Sequence, residues 1–174
     1  SEEERVRELI ERMREMLERL EESNKKVLEE IERVLEKSER DVERVIREIE
    51  RTLEEVKDND EVRELVKRVL DDLRRFLDES RKLVKEIVDR LREMAKESKK
   101  LVKEVLDRLR ELLERNGDTD RVIREAERVL EEVRRRNEKV NKEARDLLKE
   151  VEKHSRDVLE DIKRLLEEIR ERAR

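Results

Sequence analysis

An all-α fold, an up-down-up antiparallel three-helix bundle of long and nearly straight helices, is what this sequence predicts, on three observations. Apolar residues recur every 18 positions in each third of the chain: Leu17, Leu35 and Leu53, then Leu65, Leu83 and Leu101, then Leu130, Leu148 and Leu166. Eighteen residues make five turns at 3.6 residues per turn, the period of a straight helix rather than of a supercoiled heptad. Only two short polar breaks interrupt the pattern, and proline, which would kink or end a helix, is absent. Finally, 58 % of the residues are charged and 33 % apolar. That ratio signals disorder when the apolar residues have no phase. With every apolar side chain on one stripe, it signals a narrow core under a charged exterior.

The first helix, about residues 2–57, opens on Ser1-x-x-Glu4, a capping box in which each end of the motif satisfies a free backbone N–H. The first break is Lys57-Asp58-Asn59-Asp60, with Asp60 expected as the N-cap of a second helix over about 61–115. The second break, Asn116-Gly117-Asp118-Thr119-Asp120, holds the only glycine, suited to the left-handed position past a helix end. Asp118 or Thr119 is expected to cap the third helix, about 119–173. Each helix is then about 55 residues and roughly 80 Å long. Loops this short make consecutive helices antiparallel neighbours, so the expectation is a single domain over residues 1–174.

Stripe width supports three helices. At about 100° per residue the apolar arc spans about 120° on the first and third helices and about 140° on the second. A helix touching two neighbours needs about that much. All apolar residues fall inside these arcs, which leaves no second apolar face for a membrane or a large partner. The outer faces carry Glu, Arg, Lys and Asp, with many opposite charges three or four residues apart.

Composition narrows the function classes. Cysteine is absent, so there is no disulfide framework and no thiolate site. The net charge of −5 is spread over interleaved signs, not clustered as a basic footprint for nucleic acid. A single phenylalanine, without tryptophan or tyrosine, provides no base-stacking platform. No apolar run approaches a membrane span, and no signal peptide precedes the first helix.

Small polar residues interrupt the stripes. Asn24 and Ser38 lie inside the arc of the first helix, with Ser23, Asp41 and Thr52 at its edge. Ser80 and Ser98 lie near the centre on the second, and Asn137 and Ser155 on the third, with Asn141 at one edge and His154 just beyond the other. Folded up-down-up, height follows residue number on the first helix, about 118 minus the number on the second, and about the number minus 117 on the third. Ser23, Asn24, Ser98, Asn137 and Asn141 then share one level; Ser38, Asp41, Ser80, His154 and Ser155 share another. Each level is expected to form a hydrogen-bond network across all three helices, because a buried unpaired amide or hydroxyl is costly. Such layers set register, since sliding a helix by a turn separates the partners.

The second level also holds the side-chain types of a nucleophilic triad: Ser38, Ser80 or Ser155 as nucleophile, His154 as base, Asp41 to orient it. A triad needs a cleft and an oxyanion hole as well, and helices with paired backbone N–H groups provide neither. The favoured reading is that these groups satisfy one another, so no catalytic residue is assigned. Metal sites in bundles use Glu-x-x-His pairs, but position 151 is Val, so no metal and no cofactor is expected. Protonation of a buried His154 would disturb its layer, although an edge histidine with one hydrogen bond is the simpler expectation. Met13, Met16, Met94 and Phe76 read as core fillers, and Arg134-Arg135-Arg136, beside Glu131, Glu132 and Glu138, as solvated surface.

The 18-residue repeat, the near-equal helices and the level polar residues resemble those of de novo designed, parametrically generated helical bundles with buried hydrogen-bond networks. Residues 77–94 (LDESRKLVKEIVDRLREM) and 95–112 (AKESKKLVKEVLDRLREL) are alike, as if one backbone unit were reused, and glutamine does not occur. Natural spectrin-type repeats are similar in architecture but usually carry core tryptophans and shorter helices. The resemblance implies high stability and solubility, no natural location and cytoplasmic accumulation on recombinant expression. It also implies a structural scaffold with no evolved ligand and no enzymatic activity, expected to be a monomer with no partner. The alternative is an interaction module, a chain that self-associates or accepts a further helix; the wider arc of the second helix leaves room for one.

Overall fold

The computed structural model describes residues 1–115 and 118–172, and these form three helices: α1 (Glu2–Glu55), α2 (Asp60–Glu114) and α3 (Thr119–Arg172). They pack against one another as a three-helix bundle, with no strand among the described residues. The expected left-handed glycine at Gly117, its neighbour Asn116 and the last residue expected in the third helix, Ala173, lie outside the described residues.

Helix ends follow local chemistry. At Ser1 the Glu4 backbone N–H donates to Ser1 Oγ at 3.3 Å, and the Ser1 nitrogen donates to Glu4 Oε2 at 3.4 Å, the reciprocal pair of a capping box. α1 stops at Glu55, two residues earlier than expected, and Val56 turns into the core at 4 % exposure. The cap of α2 differs from expectation. Asn59, not Asp60, holds it: the Val62 N–H donates to Asn59 Oδ1 at 3.3 Å, and the Arg63 N–H to the Asn59 carbonyl at 2.9 Å. Asp60 is the first helical residue instead, where its charge still complements the positive end of the helix. Asp118 takes the cap position of α3, its carbonyl accepting from the Val122 N–H at 3.4 Å, while the Thr119 hydroxyl donates to Glu2 Oε2. Replacing Asn59 by Ala is expected to cost about 1 kcal/mol in chemical denaturation, and Asp60→Ala distinctly less. Equal losses would return the cap to Asp60.

The chain gathers into two compact units, each with segments of all three helices: Ser1–Glu29 with Ile87–Arg145, and Glu30–Glu86 with Asp146–Arg174. In the first, Val6, Met13, Val102, Leu109, Ile123 and Val133 are central to one buried cluster. Its seams fix the directions. Arg5 meets Asp120 and Ser23 meets Asn141, so α1 and α3 run parallel; Arg108 meets Glu125 and Arg90 meets Glu143, so α2 runs against them. In the second unit, Val42, Ile49, Val66, Leu73, Ile162 and Leu166 are central to a separate cluster. Ser38 meets Ser155 and Thr52 meets Arg170, so α1 and α3 run parallel here too.

One expectation about the stripe is corrected. The file Leu73, Leu91 and Leu109 is at most 2 % exposed, yet the file Leu65, Leu83 and Leu101 is 36–40 % exposed. Both repeat every 18 residues on α2 and both were expected in the core. The exposed file sits at the edge of the arc of about 140°, beyond what two neighbouring helices cover, so some apolar surface does remain outside the cores.

Candidate functional site

The residues singled out from the sequence fall in two places, one in each unit. In the first unit, Asn24, Ser98, Asn137 and Asn141 are buried and Ser23 half-buried. Asn141 Nδ2 donates to Ser23 Oγ at 3.2 Å, tying α3 to α1. The expected network across three helices does not form. The described hydrogen bonds do not reach Ser98 on α2, and the side-chain oxygens of Asn24, Asn137 and Asn141 are buried without a partner.

In the second unit, the hydroxyls of Ser38 and Ser155 meet at 3.2 Å, again joining α1 to α3. Ser80 is half-buried on α2 and the described hydrogen bonds do not include it. Asp41 lies on the other seam of α3, in a shallow groove of about 240 Å³ with Arg156, Glu160 and Lys163, and pairs loosely with Arg44 at 4.0 Å. His154 is exposed and turns towards α2, its ring edge-on to Phe76 with centroids 5.3 Å apart. Ser38 and Ser155 are thus brought together, while Asp41 and His154 point to opposite sides of α3. The histidine has a ring contact where one hydrogen bond was expected, and the groups of the hypothetical triad do not converge. His154 is exposed, so the premise of a buried histidine switch is not met.

Sequence reasoning set aside a third polar contact. Thr52 is fully buried, its hydroxyl donating to the Glu48 carbonyl at 2.9 Å and accepting from Arg170 Nη2 at 3.2 Å. The signal was in the register: Thr52 and Arg170 differ by 118, as Ser23 and Asn141 do, and Ser38 and Ser155 by 117. Arginine escaped notice because it reads as surface, yet its long stem lets the head reach inward from the rim.

Elsewhere the surface is self-paired. An open groove of about 510 Å³ between α1 and α3 in the first unit has Arg12, Arg19 and Arg134 facing Glu15, Glu127 and Glu131. Arg134 donates to both Glu131 and Glu138, and its hydrogen bond, ahead of the charge effects, holds the Glu131 carboxyl below the usual range. A depressed folded pKa adds stability above the ordinary glutamate pKa, and that stability is lost as pH falls through the folded value. Glu131 is expected to titrate lower by NMR in wild type than in Arg134→Ala; an unchanged midpoint would exclude the pair as the cause. The solvent around this pair makes its stability effect small.

Among the described residues no group of three or more His, Cys, Asp or Glu is placed to hold a metal ion, and no helix is long and apolar enough to cross a membrane. No family model, curated protein or solved structure matches the chain.

Proposed function

We propose that this chain is a designed structural scaffold: a helical framework that closes its own cores, has no catalytic role, and takes its register from polar residues placed among the apolar ones. The observation carrying this reading is the near-constant offset of 117–118 between α1 and α3 in the polar contacts of both units. An offset held within one residue by Ser38–Ser155, Ser23–Asn141 and Thr52–Arg170 is what a deliberate register device requires. The expected result of small-angle scattering on an absolute scale is a mass near 21.4 kDa that does not change with concentration. A doubled mass at micromolar concentration would overturn the monomeric scaffold.

One observation favours a second reading, the interaction module. Leu65, Leu83 and Leu101 are each more than a third exposed. Single exposed leucines are ordinary, but Leu65 and Leu83 lie on one bearing of α2 within the second unit, and a helix laid along that bearing would cover both.

A further inference from the structure

The two units differ in how the seam between α2 and α3 is closed. In the first unit three inter-helix ion pairs span it: Arg90–Glu143 at 2.9 Å, Glu97–Arg136 at 2.7 Å and Arg108–Glu125 at 3.0 Å. In the second unit no ion pair joins α2 to α3 among the described residues. The other two seams there do carry one each, Glu39–Arg81 and Glu55–Arg170. Around Val69 and Leu73 the open seam is apolar; further along it the His154 ring lies edge-on to Phe76. A cavity of about 270 Å³ is lined by Val69 and Leu73 from α2 and Val158, Ile162 and Leu165 from α3, with Asp72 and Asp161 at its mouth. On α2, Leu65 lies one turn before Val69 and Leu83 ten residues after Leu73, at 38 % and 36 % exposure.

The rim is mainly acidic. On a helix the neighbours of a residue are three and four positions away. On the solvent side Leu83 has Glu79 and Glu86, and Leu165 on α3 has Asp161 and Glu168, all exposed. Leu65 has Glu61 and Arg68, the one cation in this set. Asp72 and Asp161 are held only loosely by their own helices, at 3.9 Å to Arg75 and 4.0 Å to Arg164. An apolar floor between acidic walls, without bridging pairs to close it, is complementary to a helix with an apolar stripe between basic flanks. A second copy of this chain is a poor occupant through the same face, since it would set these carboxylates against their own kind.

We propose that the α2/α3 groove of the second unit is a docking site for a basic amphipathic helix of another molecule. The partner inserts leucine-type side chains over Val69, Leu73 and Leu165 and sets lysine or arginine beside Asp72, Asp161, Glu79 and Glu168. From Leu65 to Leu83 is five turns, about 27 Å, so a partner of about 18 residues spans the site. A straight helix stays in phase with it, because the groove residues recur on one bearing. The inference rests on the interaction-module reading.

The test uses the full chain and a fluorescein-labelled synthetic helix of about 21 residues, leucine on one face and lysine on the other. Anisotropy is read at about 0.15 M salt, where long-range attraction to a net-negative protein is screened. Saturable binding with a Kd of about 10 μM is expected. A glutamate version of the peptide should bind at least about 30-fold more weakly, and Leu65→Ser with Leu83→Ser should weaken the lysine peptide about 10-fold. Leu101→Ser, on the same bearing of α2 in the first unit, should change it by less than about 2-fold. Asp72→Lys with Asp161→Lys should reverse the charge preference. These positions are exposed, and circular dichroism verifies that the variants remain helical. Absence of saturation up to about 1 mM overturns the site. Equal binding of a lysine peptide without leucines, or equal loss on Leu101→Ser, overturns it as well. If the peptide fails while the chain dimerises and Leu65→Ser with Leu83→Ser dissolves the dimer, the module reading survives and the basic-helix partner is wrong. If neither occurs, both fall.

Discussion

Replacing Asn24, Asn137 and Asn141 by leucine, with Ser98→Ala, is expected to raise the unfolding free energy of this protein by at least about 2 kcal/mol and to make helix register less unique. The three asparagines are at most 8 % exposed, and each has a side-chain oxygen buried without a partner. Such an acceptor costs about 1–3 kcal/mol, whereas one neutral hydrogen bond, that from Asn141 to Ser23, contributes only about 1 kcal/mol. Leucine keeps the branched four-atom side chain of asparagine and is somewhat larger, so the substitution removes three penalties and one bond without opening a cavity, and any crowding subtracts from the gain. What it should damage is discrimination. With the amides gone, a helix shifted by a turn meets equivalent leucines, and no alternative register is penalised. Guanidinium denaturation reads the first effect, and NMR line widths or a crystal structure the second. A lower midpoint would mean that the asparagines are satisfied in solution and the layer is net stabilising. A higher midpoint with one sharp register would sink the specificity role instead.

Leu73→Ala is expected to cost about 2–5 kcal/mol, and Leu83→Ala under about 1 kcal/mol, although the two leucines are ten residues apart on one helix. Leu73 is fully buried within the cluster of the second unit, which also holds Val45 and Ile49 of α1 and Ile162 and Leu166 of α3. Those neighbours belong to helices whose backbones cannot close on the gap, so the loss combines transfer free energy with a residual cavity. Leu83 is already 36 % exposed, and truncating it leaves no enclosed void. For a chain of this size the first change should lower Tm by roughly 5–15 °C and the second by no more than about 3 °C. Similar costs at the two positions would show that Leu83 is covered in solution, by a second copy or otherwise, and would lead directly to the docking groove.

The sequence showed these two leucines as equals. Each belongs to an 18-residue file and each lies within the apolar arc of the second helix. Periodicity reports the bearing of a side chain on its own helix, and bearing alone does not say where the neighbouring helix ends its cover. The same limit applies to the polar residues. Matching heights placed Ser38 opposite Ser155 and Ser23 opposite Asn141, because height depends only on rise per residue and loop length. Whether a hydroxyl finds a partner on a third helix depends on interaxial spacing and bearing, and the described hydrogen bonds do not include Ser80 or Ser98. His154 and Asp41 share a height yet lie on different seams of α3, which a one-dimensional height cannot distinguish.

Helix ends show the division at its smallest scale. The capping box at Ser1 was legible because both partners lie within four residues. At the second helix the choice between Asn59 and Asp60 was not, since either side chain can cap and the turn after Val56 selects which residue precedes the first helical one. The sequence by itself determined three helices, their antiparallel order and the offset that aligns α1 with α3, because these follow from period, punctuation and loop length, all of them local. Only the tertiary structure decided that the cores divide into two units, that the asparagine oxygens go unpaired, and that one seam of the second unit is left apolar between acidic walls. Those features depend on distances between backbones far apart in the chain, which no local pattern encodes.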